Sequence, residues 1–285
     1  MRPRIALTLG DPRGIGPEIA RKAMTDPPKD AEWVVIGEDG GWEPGAGSRQ
    51  AAGLEVKRQI EEAVRMVLAD EVQAIVTGPA EKAALHAAGV PYPGHTEWLA
   101  ALAGDVETVM MLVIPRLRVA LATTHIALRN VPDALTTEGL VRTGRIVIEA
   151  LHTSFGLDNP RVALCALNPH LGESGAFGDE DERILRPAAE QLGIAGPLAA
   201  DTVFVKALHG AFDAVIAPYH DVGMTAVKVA GFGRGVNVTL GLPFIRTSPD
   251  HGTAMDIAGQ GIADAGSMKE AMRLAAEMAQ RAVVR

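Results

Sequence analysis

The feature that most constrains this chain is the alternation of short apolar runs with segments of helical periodicity. Each run is typical of a buried strand and ends at glycine, proline or a polar residue, and a helical pattern follows most of them. Alternation of this kind predicts an α/β fold with mainly parallel sheets and helices on both faces. The predicted strands are Ile5–Leu9, Trp33–Ile36, Ala74–Val76, Val119–Ala122, Val162–Ala166, Ala214–Ala217 and Val236–Leu240.

Length, charge and cysteine content narrow the class of protein. A chain of 285 residues favours two domains. The net charge of −8 argues against nucleic acid or an anionic membrane as the main partner. Cys165 is the single cysteine, so no internal disulfide can form, which indicates a reducing compartment. Because no apolar run reaches the ~18 residues that span a bilayer, we expect a cytoplasmic protein without a membrane partner.

Three predicted strands deliver a histidine at or just past their carboxyl ends, where open α/β sheets bind ligands. They are His125, His170 and His220, from a chain that has eight histidines. Imidazole is the commonest metal ligand, and three protein ligands with an open position are typical of a catalytic site. A single histidine in such a place is more often a loop residue with a satisfied hydrogen bond. Three at equivalent positions favour one shared metal site.

A second group of residues suits anions. His95 and Thr96 stand at a helix start, where backbone N–H groups are available. Lys228 and Arg246 are the side-chain types that clamp phosphate or carboxylate, and Asn237 alternates within a strand. The alternative for any single Lys or Arg is a solvated surface charge. Asp201 and Asp221 are open to three interpretations, namely metal partner, proton acceptor or loop cap.

The third feature is the segment 251–259 (HGTAMDIAG). No GxGxxG follows the first strand, so a Rossmann dinucleotide-binding fingerprint is absent. The residues alone thus predict a metal-and-anion site in an α/β crevice, without defining a reaction. HGTAMDIAGQGIAD resembles the adenosine-binding loop of the isocitrate and isopropylmalate dehydrogenases. The whole chain resembles the 4-hydroxythreonine-4-phosphate dehydrogenase family of vitamin B6 biosynthesis. The matching segments, in family order, are LTLGDPRGIGPEI, VTGPAEK, GHTEWLA, ATTHIAL, NPHLGESGAFGDED, DTVF, YHDVGM and GFGRGVNVTLGLPFIRTSPDHGTAMDIAG.

The resemblance implies a fold and an assembly. The expected fold has two α/β/α domains like those of isopropylmalate dehydrogenase, with the active site in the interdomain cleft. Residues 1–97 plus 236–285 would form the cofactor-side domain, and residues 98–235 the metal-binding and dimerisation domain. The family also implies a homodimer whose active sites lie at the subunit interface, with each metal held by both chains.

The resemblance also assigns roles to individual residues. It implies NAD or NADP and one divalent metal ion per site, zinc first and magnesium, cobalt or manganese as alternatives. Lys228, Asp221 and Asp201 are the candidate catalytic residues, with Lys228 or Asp221 as the general base. The remaining assignments are metal ligands His125, His170 and His220; substrate contacts His95, Thr96, Lys228, Asn237 and Arg246; and cofactor contacts His251, Gly252, Thr253 and Asp256.

The implied reaction is a metal-assisted oxidation and decarboxylation of 4-hydroxythreonine 4-phosphate to 3-amino-2-oxopropyl phosphate. The sequence departs from the family pattern at three places, of which the first two bear on the substrate. Val222 replaces the usual glutamine of YHDQG, and LGESGAFGDED is closer to a branch that acts on phosphorylated threonate or erythronate. The segment Gly37–Ser48 is shorter than in the family. The alternatives are therefore 4-phospho-D-threonate or erythronate, or an aromatic cis-dihydrodiol. A non-catalytic metabolite sensor is disfavoured, because it would not need three histidines around an open metal.

Overall fold

The computed structural model describes residues 2–37, 47–231 and 233–283. Its strands are β1 (Arg4–Thr8), β2 (Glu32–Ile36), β3 (Ala74–Thr77), β4 (Val109–Ile114), β5 (Leu117–Leu121), β6 (Val162–Cys165), β7 (Ala195–Leu198), β8 (Ala214–Ala217), β9 (Val236–Leu240) and β10 (Ile245–Pro249). Its α-helices are α1 (Gly16–Met24), α2 (Arg49–Leu68), α3 (Lys82–Ala87), α4 (His95–Leu102), α5 (Val131–Ala134), α6 (Thr137–Thr153), α7 (Arg186–Leu192), α8 (Ala200–Leu208), α9 (His220–Gly231) and α10 (Gly266–Val283).

Contacts between residues divide the chain into two units. Unit 1 comprises Met1–Thr108 and Val236–Arg285, and unit 2 comprises Val109–Gly235. The second boundary coincides with the one expected from the sequence, but the first lies eleven residues beyond 97/98. The boundary at 97/98 is wrong because it would cut through α4, whose Trp98 and Leu99 are buried in the core of unit 1.

The strands of unit 1 are hydrogen-bonded in the order β2-β1-β3-β10-β9. All its pairs are parallel except β10 with β9. Helix α2 shows how the sequence builds its core: the Ser48 hydroxyl caps the helix by accepting from the Ala51 N–H, and Ile60, Val64 and Val67 are buried along one face. Leu68, the last residue of the helix, is 53% exposed.

The strands of unit 2 are hydrogen-bonded in the order β4-β5-β8-β6-β7. Only the β4–β5 hairpin is antiparallel. Cys165 lies buried in β6, as expected for a small core residue. The expected mostly parallel α/β architecture is therefore confirmed in both units.

Two further expectations from the sequence concern the shortened segment 37–48 and the absence of membrane-spanning runs. Most of the shortened segment Gly37–Ser48 lies outside the described residues, which resume at position 47. In the part of the chain that the structure covers, none of the helices combines the length and the apolarity needed to cross a membrane.

Candidate active site

The polar centre of unit 1 is Arg246, in the middle of β10. It is 3% exposed, so the alternative of a solvated surface charge is wrong. Its guanidinium donates to two threonine hydroxyls on the neighbouring strands: Nη2 to Thr77 Oγ1 at 2.7 Å and Nη1 to Thr239 Oγ1 at 2.9 Å. Strand pairing explains the arrangement, because Arg246, Thr77 and Thr239 project from the same face of the sheet.

Arg246 has no acidic partner within ion-pair distance among the described residues. Burial lowers its pKa to about 10, with the charge of Glu97 opposing this shift, so the guanidinium remains protonated at neutral pH. A buried cation that neutral hydroxyls alone satisfy is costly to desolvate, and an anionic ligand would compensate it. This is the electrostatic signature of a phosphate or carboxylate site.

Two predicted substrate contacts near Arg246 carry unsatisfied polar atoms. Nε2 of His95 and Oδ1 of Asn237 are shielded from solvent and have no hydrogen-bond partner in the described structure. Burial, and secondarily the charge of Arg246, lowers the pKa of His95 to about 3, so its imidazole is neutral. Asn237 lies two residues before Thr239 in β9 and therefore projects from the same face. Thr96 follows His95 in the first turn of α4 and is half-buried.

The predicted cofactor loop follows β10 and is braced by the loop after β1. Thr253 accepts the Ile15 N–H through its carbonyl at 2.9 Å, and a Cβ on Gly14 would lie 2.7 Å from that carbonyl oxygen. Nε2 of His251 is another buried atom without a partner among the described residues. Gly252 and Asp256 are exposed, which leaves their surfaces open to a ligand.

The loop after β1 is itself held by a buried ionic network. Arg13 donates from Nε and Nη2 to both carboxylate oxygens of Asp11, at 3.1 and 2.8 Å, and from Nη2 to Glu81 at 2.6 Å. Asp11 is fully buried. The Asp11 carboxylate therefore raises the pKa of Arg13, with Glu81 adding to the effect. Arg13 and Arg246 are two buried arginines of the same unit, and only the first is neutralised by acidic side chains of the chain.

Unit 2 brings two of the three predicted metal ligands together. The rings of His125 and His220 lie 5.6 Å apart between centroids, tilted by 47°. Nδ1 of His220 is 2.7 Å from Asp221 Oδ1. A carboxylate can only accept, so Nδ1 donates and Nε2 is left free for a metal. The pair borders an open cavity of about 110 Å³, lined by Thr124, His125, Ile126, Leu128, Val131, Tyr219, His220 and Asp221.

The third predicted ligand, His170, does not join this pair. It is exposed on the segment Pro169–Gly175 after β6. Within the residues that the structure describes, no three His, Cys, Asp or Glu side chains are grouped closely enough to hold a metal ion. Within one chain, His170 therefore stays apart from His125 and His220, on a separate segment after β6. The expected ligand set, shared between the two chains of a dimer, stays a prediction.

The three candidate catalytic residues differ in their surroundings. The side chain of Asp221 is 86% exposed, and its carboxylate is hydrogen-bonded to His220. Lys228 is half-buried on α9, seven residues after Asp221 and thus near the same helix face. Asp201 is exposed in the first turn of α8 and does not line the cavity beside His220.

Sequence reasoning missed Thr77 and Thr239, which hold the Arg246 guanidinium, and Asp11, Arg13 and Glu81, which hold the loop after β1. The alternation of VNVTL was the available signal for Thr239, since it places that residue on the same face as Asn237. The network around Arg13 had no such signal, because Asp11 and Glu81 are distant in sequence and only the pairing of β1 with β3 brings their loops together.

Comparisons with known proteins identify the family. A family model described as "Pyridoxal phosphate biosynthetic protein PdxA" matches residues 18–275. A 4-hydroxythreonine-4-phosphate dehydrogenase from Geobacter metallireducens is 44% identical, with 98% of this chain and 96% of the relative covered. A protein of the same name from Paracoccus denitrificans is 43% identical, over 97% of this chain and 98% of the relative. The Geobacter alignment spans 327 positions against 285 residues here, so that relative carries segments that this chain lacks.

Solved structures agree with this result. The crystal structure of 4-hydroxythreonine-4-phosphate dehydrogenase from Klebsiella pneumoniae superposes with a TM-score of 0.85 at 38% identity, covering 98% of this chain and 99% of that one. A terephthalate 1,2-cis-dihydrodiol dehydrogenase from Burkholderia xenovorans gives a TM-score of 0.69 at 28% identity, covering 96% and 98%. The resemblance seen in the sequence is confirmed: this chain belongs to the PdxA family.

Proposed function

We propose that this chain is an NAD(P)-dependent, metal-assisted dehydrogenase that converts 4-hydroxythreonine 4-phosphate to 3-amino-2-oxopropyl phosphate and CO₂. The names of its relatives supply the reaction. The observation that carries the proposal is Arg246, a buried cation with no acidic partner in the described structure. A phosphorylated hydroxy acid offers two anionic groups for such a pocket.

The residues around Arg246 suit one of these anions. The guanidinium supplies charge-assisted hydrogen bonds, and its threonine partners hold its plane in place. His95, neutral at physiological pH because burial lowers its pKa to about 3, and Thr96 offer hydrogen bonds that carry no charge. Asn237 offers an amide at the same sheet face. Lys228 of unit 2 is the remaining substrate contact in the proposal.

The metal ligands in the proposal are His125 and His220 of one chain together with His170. The pair is suitable because its rings are already close and Asp221 leaves Nε2 of His220 available. Since His170 is not part of that group within one chain, the proposal takes it from the partner subunit of a homodimer. A bound divalent ion, zinc first, supplies Lewis acidity that lowers the pKa of the substrate hydroxyl.

The proton of the substrate hydroxyl is taken by a side chain beside the proposed metal ligands. Asp221 already accepts the Nδ1 proton of His220, so we assign it the role of fixing the tautomer of that ligand. Lys228 is half-buried on the same helix and is the better candidate for the base that takes the hydroxyl proton. The proposal then gives Asp201 no step in the reaction. The bonds that break are the substrate's O–H and C–H bonds and the C–C bond to the carboxylate that leaves as CO₂.

The cofactor role is assigned to the loop after β10. His251, Gly252, Thr253 and Asp256 offer an unsatisfied imidazole nitrogen, an open backbone and an exposed carboxylate. These groups suit the adenosine half of a dinucleotide, and NAD or NADP, when bound, supplies the hydride acceptor.

Turnover with a panel of substrates tests this proposal. Formation of NADH or NADPH is measured with 4-hydroxythreonine 4-phosphate, 4-phospho-D-threonate, 4-phospho-D-erythronate and an aromatic cis-dihydrodiol. We expect the first substrate to give the highest kcat/KM. Absence of reduced cofactor with every phosphorylated acid contradicts the proposal.

A second candidate is supported by one observation, the similarity to the terephthalate dihydrodiol dehydrogenase. A terephthalate dihydrodiol carries carboxylates but no phosphate, so Arg246 suits either substrate and its replacement does not separate the two functions. The kcat/KM of wild type for the dihydrodiol and for 4-hydroxythreonine 4-phosphate separates them. A higher value with the dihydrodiol supports the second candidate.

A further inference from the structure

The segment that carries His170 has an unusual backbone. His170, Leu171, Glu173 and Ser174 have φ values of 51°, 58°, 41° and 57°, and Gly172 between them has φ of 79°. This is the left-handed region, which is unfavourable for every residue that has a Cβ. Four of the seven non-glycine residues with positive φ in the described structure fall in this one run. Such a run persists only where its surroundings fix it.

Asp181 fixes the start of this run. Its carboxylate is fully buried and accepts two consecutive backbone N–H groups, from Leu167 to Oδ1 at 2.8 Å and from Asn168 to Oδ2 at 2.9 Å. These amides lie immediately before Pro169 and His170. Because both carboxylate oxygens accept hydrogen bonds from the backbone just after β6, Asp181 determines the direction in which the left-handed segment begins.

A second set of contacts closes the segment at its other end. Asn168 donates from Nδ2 to Glu180 Oε2 at 2.7 Å, and the Phe177 N–H donates to the Gly172 carbonyl at 3.0 Å. Gly172 is also pressed against the backbone, since a Cβ there would lie 2.3 Å from the Gly178 carbonyl oxygen. The turn is therefore a closed loop, with the exposed His170 on its outer surface.

The carboxylate of Asp181 has no other function visible in the fold. It forms no ion pair with any residue that the structure describes, and all its hydrogen bonds are to the two amides of the turn. Burying a carboxylate that is satisfied only by local backbone amides costs free energy. A protein keeps such a group where the geometry that it imposes is required. Here that geometry is the placement of His170, two positions after Asn168.

We propose that Asp181 is a positioning residue for metal binding, which holds the left-handed segment 170–174 so that it presents the His170 imidazole to the ion. This inference rests on the proposed role of His170 as a metal ligand. Asp181 acts through the backbone and does not itself contact the metal or the substrate. Positioning groups of this kind around a metal site typically change its affinity by about 10–100-fold.

The experiment is a titration of the full-length, metal-free protein with Co²⁺, read from its visible ligand-field absorption. Wild type, His170→Ala, Asp181→Asn and Asp179→Asn are compared. An asparagine keeps one acceptor oxygen but opposes an NH₂ group to the second amide, so the turn loses one of its two anchors. Asp179 is the matched control, because it lies two residues away and is exposed with only a surface pair to Arg183.

We expect His170→Ala and Asp181→Asn each to raise the Kd for Co²⁺ by about 10–100-fold. Asp179→Asn should stay within about twofold of wild type, since its pair is solvent-exposed. An unchanged Kd in His170→Ala contradicts the proposed ligand set. A weakened His170→Ala with a wild-type Kd in Asp181→Asn overturns the positioning role alone.

A second variant covers the case in which Asp181→Asn does not fold. Ser174→Pro alters an exposed position in the same run, and proline fixes φ near −65°, which is incompatible with the observed 57°. It leaves both hydrogen bonds of Asp181 intact and removes the left-handed path. We expect the same loss of Co²⁺ affinity and an altered absorption spectrum. Wild-type affinity and spectrum in Ser174→Pro overturn the proposal.

Discussion

The polar groups of the two units are organised differently. In unit 1, Arg246 is 3% exposed, held by two threonines and surrounded by buried atoms that lack partners. In unit 2, His220 has a side chain that is 35% exposed, with only His125 and Asp221 beside it at an open cavity. In unit 1 the proposed anion contacts are already buried and held in place, whereas in unit 2 the proposed metal ligands of one chain are two. If both proposals hold, the first site binds by preorganisation and the second by assembly.

The largest expected effect separates the two buried arginines of unit 1. Arg13→Met leaves Asp11 as a buried, uncompensated carboxylate, so we expect the free energy of unfolding to fall by about 3–5 kcal/mol. Arg246→Met removes a cation that has no acidic partner among the described residues, so stability should be unchanged or raised. Urea denaturation of both variants without ligands measures this contrast. A loss in Arg246→Met as large as that in Arg13→Met contradicts the account of Arg246 as an unneutralised charge.

The next effect concerns the ligand set of unit 2. His220→Ala removes a proposed metal ligand, and Lewis-acid stabilisation of the transition state is worth several kcal/mol, so kcat should fall by about 10²–10³-fold. His209→Ala is the matched control, because His209 is exposed in the same unit and Nδ1 contacts only the Val205 carbonyl of its own helix. Steady-state kinetics and elemental analysis of bound metal measure the result. Full metal content in His220→Ala would exclude it as a ligand.

A smaller effect tests the anion pocket. A charge-assisted hydrogen bond contributes about 1.5–3 kcal/mol, so Arg246→Ala should lower kcat/KM for the phosphorylated substrate by about 10–100-fold. Arg246→Lys should recover only part of this loss, because an ammonium group cannot bond both threonines and the ligand as a planar guanidinium does. Kinetics with saturating cofactor give the values. Equal activity of the lysine variant and wild type is the outcome that argues against a guanidinium-specific site.

The smallest effect is a pH dependence of stability. Burial holds the pKa of His95 at about 3, below its ordinary value of 6.5, so the folded protein binds fewer protons than the unfolded chain between these values. Stability from this group is therefore complete above about pH 6.5 and is lost as the pH falls towards 3, by about 1.4 kcal/mol per pH unit. His95→Gln should flatten the slope, as measured by urea unfolding at pH 4.5 and pH 7. An identical slope in the variant would show that His95 is not the titrating group.

Most of the fold was predictable because burial leaves a clear pattern in the sequence. Strands such as β8 and β9 have the predicted bounds, since both are short and mostly buried runs. Three strands, β4, β7 and β10, were not among those predicted, and the last two have physical reasons. β7 reads AGPL and is tolerated only because it lies at the sheet edge, where proline costs no ladder hydrogen bond. β10 reads IRTSP, and it is polar because one of its faces carries the Arg246 pocket.

The residue types of the site were predictable from the sequence, but the burial of these residues and part of their grouping were not. Strand ends correctly brought His125 and His220 together, because carboxyl ends of parallel strands meet at one edge. Within one chain the same rule does not bring His170 to the pair, because its segment leaves β6 with a left-handed backbone that no residue pattern predicts. The burial of Arg246 was also hidden, since it depends on Thr77 and Thr239 from two other strands.

The most direct test of the central claim, that unit 1 supplies the anion pocket and unit 2 the metal ligands, is calorimetric titration of two variants with two probes. His220→Ala and Arg246→Ala are each titrated with Zn²⁺ and with inorganic phosphate, beside wild type. The account predicts that His220→Ala loses Zn²⁺ affinity and keeps phosphate affinity, and that Arg246→Ala shows the reverse. Loss of both affinities in both variants, or of neither in either, would contradict it.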